Sequence, residues 1–430
     1  MEVRPKTSKQ HEFQGSKPLV ALFGLKRREK INAKLLFLGD GEVYSEDTWF
    51  TWYDSREDDE TRTAEYRLFY STKTVQRRAG VGDLLVLAVR PDGLLLAMVA
   101  AKGSAWERKL TWLFDLPRDI RKTWLLPDLE HEPASELSAD LLLQEVGMEL
   151  PAPTGESDLD EMLTLFPKDL PATKEFSAYA RSKCTGVDAK NDPDHALTIW
   201  VEKEYQLFRL YEAHQVSKRV QTGFLNAKGA ADVDAFFRFA KSCQQRRFSR
   251  VGYAFQDHVA ALLVASGVRF TPQAITEAKR LPDFVLPGVE YYHDRKFPKE
   301  HLVMLAVKTT LRERFKQVPS EADRIEIKHL LTLDPRVTPD SIAEMKTLKL
   351  QMVLPKSLHT LYHPAARKWF LSVRDFIEFA LSKQQALSPP PKLPSRVAKL
   401  MREARARKNA KPRKVPRAQT KGRRAAKASL

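Results

Sequence analysis

Between residues 35 and 116 the apolar positions fall in short runs broken by polar turns. Leu84-Leu85-Val86-Leu87-Ala88-Val89 and the stretch from Leu94 to Ala101 flank Pro91-Asp92-Gly93. Proline and glycine in those places suit a tight turn, so the two runs predict a β-hairpin. Lys34 to Leu38 and Thr48 to Tyr53 add further short segments of strand propensity. This half of the chain is expected to form a small β-rich domain. From about 126 to 175 the apolar pattern fails. Glu130, Glu132, Glu136 and Glu145 precede Pro151-Ala152-Pro153-Thr154-Gly155, which has the composition of a linker with a short helix over Ser138–Glu145.

After 175 the period lengthens. Ile199, Val201, Tyr205, Phe208 and Tyr211 recur close to helical spacing behind Pro193-Asp194, and a second helix is expected after Asp234, where Phe236, Phe237 and Phe239 cluster. From 250 onward helix and strand patterns alternate. Helices are expected at Val251–Ala265, Glu321–Ile327, Ser341–Thr347 and Ala366–Lys383. Strands are expected at Phe284–Leu286, Val303–Val307, His329–Leu333 and Leu350–Leu354. Such alternation implies a mixed central sheet with helices on its faces. The organisation that follows is a β-rich domain over 1–150, a linker over 151–174, an α/β domain over 175–387, and a tail over 388–430.

Charge changes the picture of the tail. The whole chain carries +17, but from Ser388 onward there are fifteen Lys/Arg and a single acid, Glu403, so the tail accounts for +14 and the rest for +3. A prolyl, basic, apolar-poor segment is expected to be disordered and to be drawn to a polyanion such as nucleic acid. The longest apolar stretch, Leu94 to Ala101, is far below the roughly 20 residues of a membrane span, so no membrane partner is expected. No apolar signal segment occurs in the first twenty residues. The two cysteines, Cys184 and Cys243, stand too isolated for a disulfide framework or a zinc site. A cytoplasmic, DNA-associated protein is expected.

One arrangement in the α/β half carries chemistry. Asp283 begins an apolar strand, Lys308 ends the strand after it, and Glu321 follows thirteen residues later. An acid at one strand, a lysine at the end of its neighbour and a first-turn helix acid can meet above a sheet. Phosphodiester cleavage uses such a set: carboxylates hold Mg²⁺, and a lysine stabilises developing negative charge or orients water. Taken singly, a Pro282-Asp283 turn and a strand-end lysine are also ordinary surface features. Spacing alone leaves both readings open.

Several strings resemble the catalytic half of EcoRII-type restriction endonucleases, within residues 175–387. They are Gln273-Ala274-Ile275-Thr276-Glu277, Lys279-Arg280-Leu281-Pro282-Asp283-Phe284, Tyr292-His293-Asp294, Met304 to Thr310, Glu321-Ala322-Asp323 and Pro355-Lys356-Ser357-Leu358-His359. Weaker similarity runs upstream through Asp192-Pro193-Asp194, Tyr205, Gly223-Phe224 and Arg246 to Gly252. The resemblance implies a restriction-endonuclease-like fold of the PD-(D/E)xK superfamily. It assigns Asp283 and Glu321 as metal ligands for Mg²⁺ and Lys308 as the catalytic lysine, and it puts Tyr292 at a position implicated in activity. Arg312, Glu313 and Arg314 correspond to the segment that reads G·C pairs, and their chemistry suits it: arginine pairs with guanine O6 and N7, glutamate accepts from cytosine N4. Where many relatives have a helix glutamate, this chain has Gln256, beside Asp257 and His258.

The N-terminal half resembles, more loosely, the effector-binding pseudobarrel of such enzymes, through Glu65 to Tyr70, Gly82-Asp83-Leu84-Leu85 and Trp112-Leu113-Phe114. Lys73, Arg77 and Arg78 are its candidate DNA contacts. The expectation is a type II site-specific deoxyribonuclease acting on double-stranded DNA at a short G·C-containing palindrome (CCWGG-like). It would work as a homodimer, with a second DNA site bound by the N-terminal domain and a methyltransferase encoded nearby. A repair or structure-specific nuclease, and a non-catalytic regulator on a degenerate nuclease core, are the alternatives.

Overall fold

The computed structural model describes residues 11–409 except 40–41, 60, 72–76, 91, 115, 117–123, 127–135, 146–154, 168, 386, 388, 390–391 and 393. Six strands build the first half: β1 (Glu12–Gln14), β2 (Arg28–Gly39), β3 (Glu42–Asp54), β4 (Tyr66–Tyr70), β5 (Leu84–Val89) and β6 (Leu95–Ala100). They lie in the order β1-β4-β3-β2-β6-β5, with β2 and β6 parallel and the other pairs antiparallel. The expected hairpin is β5–β6, paired from Leu84↔Ala100 to Val89↔Leu95 across a turn whose Gly93 has φ 83°.

Alternation along β2 sorts its side chains to two faces. Ala33, Leu35 and Phe37 join Phe13, Phe50, Trp52 and Leu68 in one cluster, while Leu36 and Leu38 join Met98, Trp106 and Leu110 in another. The helix Ala105–Leu113 seals the second face. Its N-cap, Ser104, accepts from Glu107 N, and its Trp112 reaches the core of the second half.

The second half holds five strands in the order β11-β10-β9-β8-β7: β7 (Thr271–Pro272), β8 (Phe284–Leu286), β9 (Val303–Lys308), β10 (Lys328–Thr332) and β11 (Leu350–Val353). β9, β10 and β11 run parallel, and β8 and β7 are antiparallel, which is the expected mixed sheet. Its strands are buried almost throughout, as in sheets covered on both faces. Two long helices, Pro193–Gln221 and Val233–Ala265, supply Leu197, Trp200, Phe255, Val259 and Leu262 to this core. Pro193 starts the first at a position that needs no amide donor, and Asp192 caps it by accepting from His195 N.

Four expectations are corrected. Residues 321–327 are not a helix: Glu321 ends the 3₁₀ segment Arg312–Ser320, which contains Pro319, and Ala322 sits at φ 54°, where a helix cannot continue. The single helix expected over Ala366–Lys383 is two, Pro364–Arg367 and Val373–Lys383, because Ser372 and Asp375 form a capping box that starts a new helix. The linker of 151–174 contains the helix Glu156–Leu165, whose Met162 is buried with Phe176, Phe208 and Tyr211. Just upstream of it, the helix Glu136–Glu145 inserts Leu137 and Leu141 into the second core, and Ser138 Oγ donates to Leu333 O at 3.1 Å. Finally, the basic tail expected to be disordered from 388 contains the helix Ser395–Asn409, with Met401 buried. Residues 410–430 lie outside the described residues.

Candidate active site

Antiparallel pairing builds the site. Phe284 faces Leu305, so the residue before β8 stands beside the end of β9. Asp283 and Lys308 therefore share one edge of the sheet. Asp283 is 7% exposed, and three groups donate to it: Lys308 Nζ to Oδ2 at 2.7 Å, Val307 N to Oδ2 at 2.8 Å and Gln256 Nε2 to Oδ1 at 2.8 Å. The expected convergence of the acid and the lysine is present. Gln256, singled out as a departure, turns out to hold the other oxygen of the same carboxylate.

Glu321 enters the same electrostatic environment. Burial pushes its carboxyl up to about 7; Lys308 opposes that rise and Asp283 reinforces it, while Arg280 and Lys328 pull it down. Its Oε2 is buried without a hydrogen-bond partner. Two acids thus share the charge of one contacting lysine, and one of them is desolvated and unsatisfied. That imbalance is the kind of cost that persists at sites with a chemical task. The donor set is hard carboxylate oxygen, which fits a divalent cation such as Mg²⁺. Among the described residues no group of three or more His, Cys, Asp or Glu converges on a point. Two carboxylates suffice for magnesium, which commonly draws its remaining ligands from water and phosphate.

The surroundings fix this geometry. Asp334, buried after β10, accepts from Leu311 N at 2.9 Å and pairs with Arg336 at 2.8 Å, anchoring the loop that leaves Lys308. Nothing in the local sequence around Asp334 announced that long-range role. Tyr292 is buried at 1% exposure, and its hydroxyl donates to Glu277 at 2.5–2.6 Å and accepts from Arg324 N at 3.3 Å. Arg324 in turn donates to the carbonyls of Tyr292, Asp294 and Phe297. Tyr292 thus braces the turn that carries Glu321; none of its hydrogen bonds reaches Asp283, Lys308 or Glu321. His258 is a core residue: it is fully buried, its Nε2 is 2.8 Å from Glu204, and its Nδ1 is 3.1 Å from Arg181.

The candidate base-reading segment begins a 3₁₀ helix directly after Leu311. Arg314 is exposed; the side chains of Arg312 and Glu313 lie outside those described. In the N-terminal half Lys73 also lies outside the described residues. Arg77 and Arg78 are exposed, and Arg78 lies over the Tyr44 ring at 4.9 Å.

Residues 208–377 match the family model described as EcoRII C terminal, so the resemblance holds over this part of the chain. The type II restriction enzyme EcoRII of Escherichia coli is 38% identical over 208 residues, covering 48% of this chain and 50% of that enzyme. The type II restriction enzyme SsoII of Shigella sonnei is 31% identical over 116 residues, covering 25% of this chain and 37% of that enzyme. The matched region thus spans half or less of either relative. Among solved structures, metal-depleted Ecl18kI in complex with uncleaved, modified DNA aligns with TM-score 0.44 and 19% identity, covering 58% of this chain and 90% of that one. A PspGI–substrate DNA complex aligns with TM-score 0.42 and 16% identity, covering 50% and 96%. No described helix is long and apolar enough to cross a membrane.

Proposed function

We propose that this chain is a type II restriction endonuclease that hydrolyses phosphodiester bonds of double-stranded DNA at a short G·C-containing palindrome. The observation that carries the reading is the underneutralised acid pair Asp283–Glu321, the first buried and the second with an unpartnered buried Oε2, with Lys308 at 2.7 Å from Asp283. Its position inside the segment that matches the EcoRII C-terminal family supports it.

Asp283 and Glu321 would hold Mg²⁺, and the bound ion supplies Lewis-acid polarisation of the scissile phosphate and a more acidic water. Val307 N and Gln256 orient Asp283, so its lone pairs are set before DNA arrives. Lys308 brings a cation to the point where negative charge builds on the phosphate oxygens. Arg312, Glu313 and Arg314, one short loop beyond Lys308, are the residues for reading base edges, which ties recognition to cutting.

A palindrome cut in both strands calls for two copies of the site, so the working form is a homodimer. The hairpin of long helices leaves Val220, Leu225, Val233, Phe236 and Phe237 between 43% and 65% exposed, an apolar patch suited to such an interface. The N-terminal domain is the candidate for a second DNA copy, through Lys73, Arg77 and Arg78.

Digestion of a plasmid of known sequence with Mg²⁺, followed by sequencing of the ends, tests the reading. The expected result is a single recurring short palindrome at every end. Cuts scattered without sequence, or confined to damaged or branched DNA, would point to a repair nuclease. Binding to a recurring site without any cut would point to a regulator.

A further inference from the structure

The helix Ser395–Asn409 is two-faced over its described side chains. Val397, Ala398, Leu400 and Met401 are covered, whereas Arg396, Lys399 and Arg402 are exposed at three-residue spacing along the other side. Val397 packs against the main core of the second half. Met401 is 7% exposed, and its Sδ accepts from Ile275 N at 3.4 Å. Methionine is flexible enough to fill such a seat on an irregular surface. The seat is informative. Ile275 lies two residues beyond Gln273, whose amide donates to Asp283 O at 2.8 Å. The same loop exposes Lys279 and Arg280, and Arg280 is one of the cations acting on Glu321. A row of cations is thus clipped to the segment that leads into the candidate active site.

None of Arg396, Lys399 or Arg402 forms an ion pair with a described side chain. In all, the helix carries six Lys/Arg against one acid, Glu403. Three parallel cations on a fixed rod complement a regular polyanion, and the cleaved strand itself supplies one. We propose that this docked helix is a backbone clamp for the duplex being cut, with Arg396, Lys399 and Arg402 each neutralising a phosphate beside the site. The proposal rests on the nuclease reading for the identity of the DNA-cutting centre next to it. It differs from a loose polycationic tail because the charges act from a fixed place.

Two variants of the full chain separate these pictures. R396A/K399A/R402A removes three surface cations from positions with no packing role. V397N/M401N keeps every charge but strips the apolar seat. Each is compared with wild type for binding a random 20-bp duplex in Ca²⁺ across a salt series, and for single-turnover cleavage in Mg²⁺. The slope of log K against log salt changes by about 0.9 per phosphate contact, so the triple alanine variant should lose roughly 2–3 from that slope. V397N/M401N should lose most of the same slope despite its unchanged charge, and both should cut more slowly at subsaturating enzyme. An unchanged slope in the triple alanine variant overturns the clamp. A wild-type slope and cleavage rate in V397N/M401N overturns the docked position and leaves only a tether. A wild-type chain that binds with the full slope yet never cuts DNA contradicts the nuclease reading and leaves the clamp standing.

Discussion

The two sheets of this protein handle charge in opposite ways. On the N-terminal sheet Glu12 and Glu65 meet two arginines: Arg67 reaches both at 2.9 and 3.2 Å, and Arg56 reaches Glu65 at 2.6 Å. These side chains are 18–28% exposed, so water shares the cost of their charge. At the end of the C-terminal sheet Asp283, its side chain 8% exposed, takes Lys308 at 2.7 Å, whereas Glu321 has no ion pair among the described side chains. The first arrangement is complete as it stands, and its net contribution to stability is small, as for other partly exposed ion pairs. The second leaves the buried Oε2 of Glu321 without a hydrogen-bond partner. A desolvated carboxylate of this kind works against stability, and such groups cluster at functional sites.

The comparison breaks most readily at the end of the sheet proposed to cut DNA. Asp283→Ala should abolish Mg²⁺-dependent cleavage while sparing specific binding in Ca²⁺, and Lys308→Ala should reduce the single-turnover rate by about 10²–10³-fold. Glu12→Ala, the N-terminal counterpart, should leave the rate constant for cutting within about twofold of wild type, since that pair belongs to the other sheet and shares no partner with Asp283 or Lys308. Equal losses from both ends of the molecule would erase the contrast. Circular dichroism of each variant distinguishes lost chemistry from lost fold.

A smaller effect is expected from Gln256. Its replacement by Leu leaves one oxygen of Asp283 without a donor, and loss of such a supporting group typically costs about 10–100-fold in metal affinity or activity. Mg²⁺ titration of the cleavage rate measures it. Activity equal to wild type would make the 2.8 Å contact incidental.

Glu321 also predicts a pH signature. Its carboxyl titrates near 7 in the folded chain, against an ordinary value of 4.5. Between those two pH values the folded state keeps a proton that the unfolded state has lost. Metal-free stability should therefore fall as pH rises from about 4.5 to 7, and flatten above that. Cleavage should rise over the same passage through 7, with a midpoint that moves lower as Mg²⁺ is raised, because the metal competes with the proton. Chemical denaturation at several pH values, with Glu321→Gln as the flat control, checks the first part.

The smallest effect lies in sequence choice. Arg314→Ala should cost about 1–3 kcal/mol of discrimination at a G·C position if its guanidinium pairs with guanine. Competition between cognate and single-mismatch duplexes reads this directly. An equal loss for both would reduce Arg314 to a phosphate contact.

Much of this was legible in the residues. Asp283 and Lys308 stand at the ends of apolar runs, and strand ends are where sheets present side chains; the antiparallel pairing of those strands was not legible, because residues 287–302 between them include the helix Val289–His293. Glu321 does come within the electrostatic reach of Asp283 and Lys308, but from a different element than expected, since the helical composition of 321–327 gives little weight to Pro319 or to a left-handed Ala322. The hydrogen bond from Gln256 to Asp283, the anchor at Asp334 and the brace from Tyr292 to Arg324 connect residues 23 to 32 positions apart, so no local pattern records them. The helix Ser395–Asn409 was hidden by composition. Its charge suggested disorder, yet Val397 and Met401 one turn apart, opposite Arg396, Lys399 and Arg402, are the signal that would have found it.

The claim that the unbalanced acid pair is the cutting centre is tested most directly by one substitution, Glu321→Gln. It preserves size and removes the ionisable carboxylate. The measurement is single-turnover cleavage of a duplex bearing the identified site in Mg²⁺, alongside binding of the same duplex in Ca²⁺. The account predicts unchanged specific binding with no detectable cutting of either strand. Cutting at a near wild-type rate would contradict it.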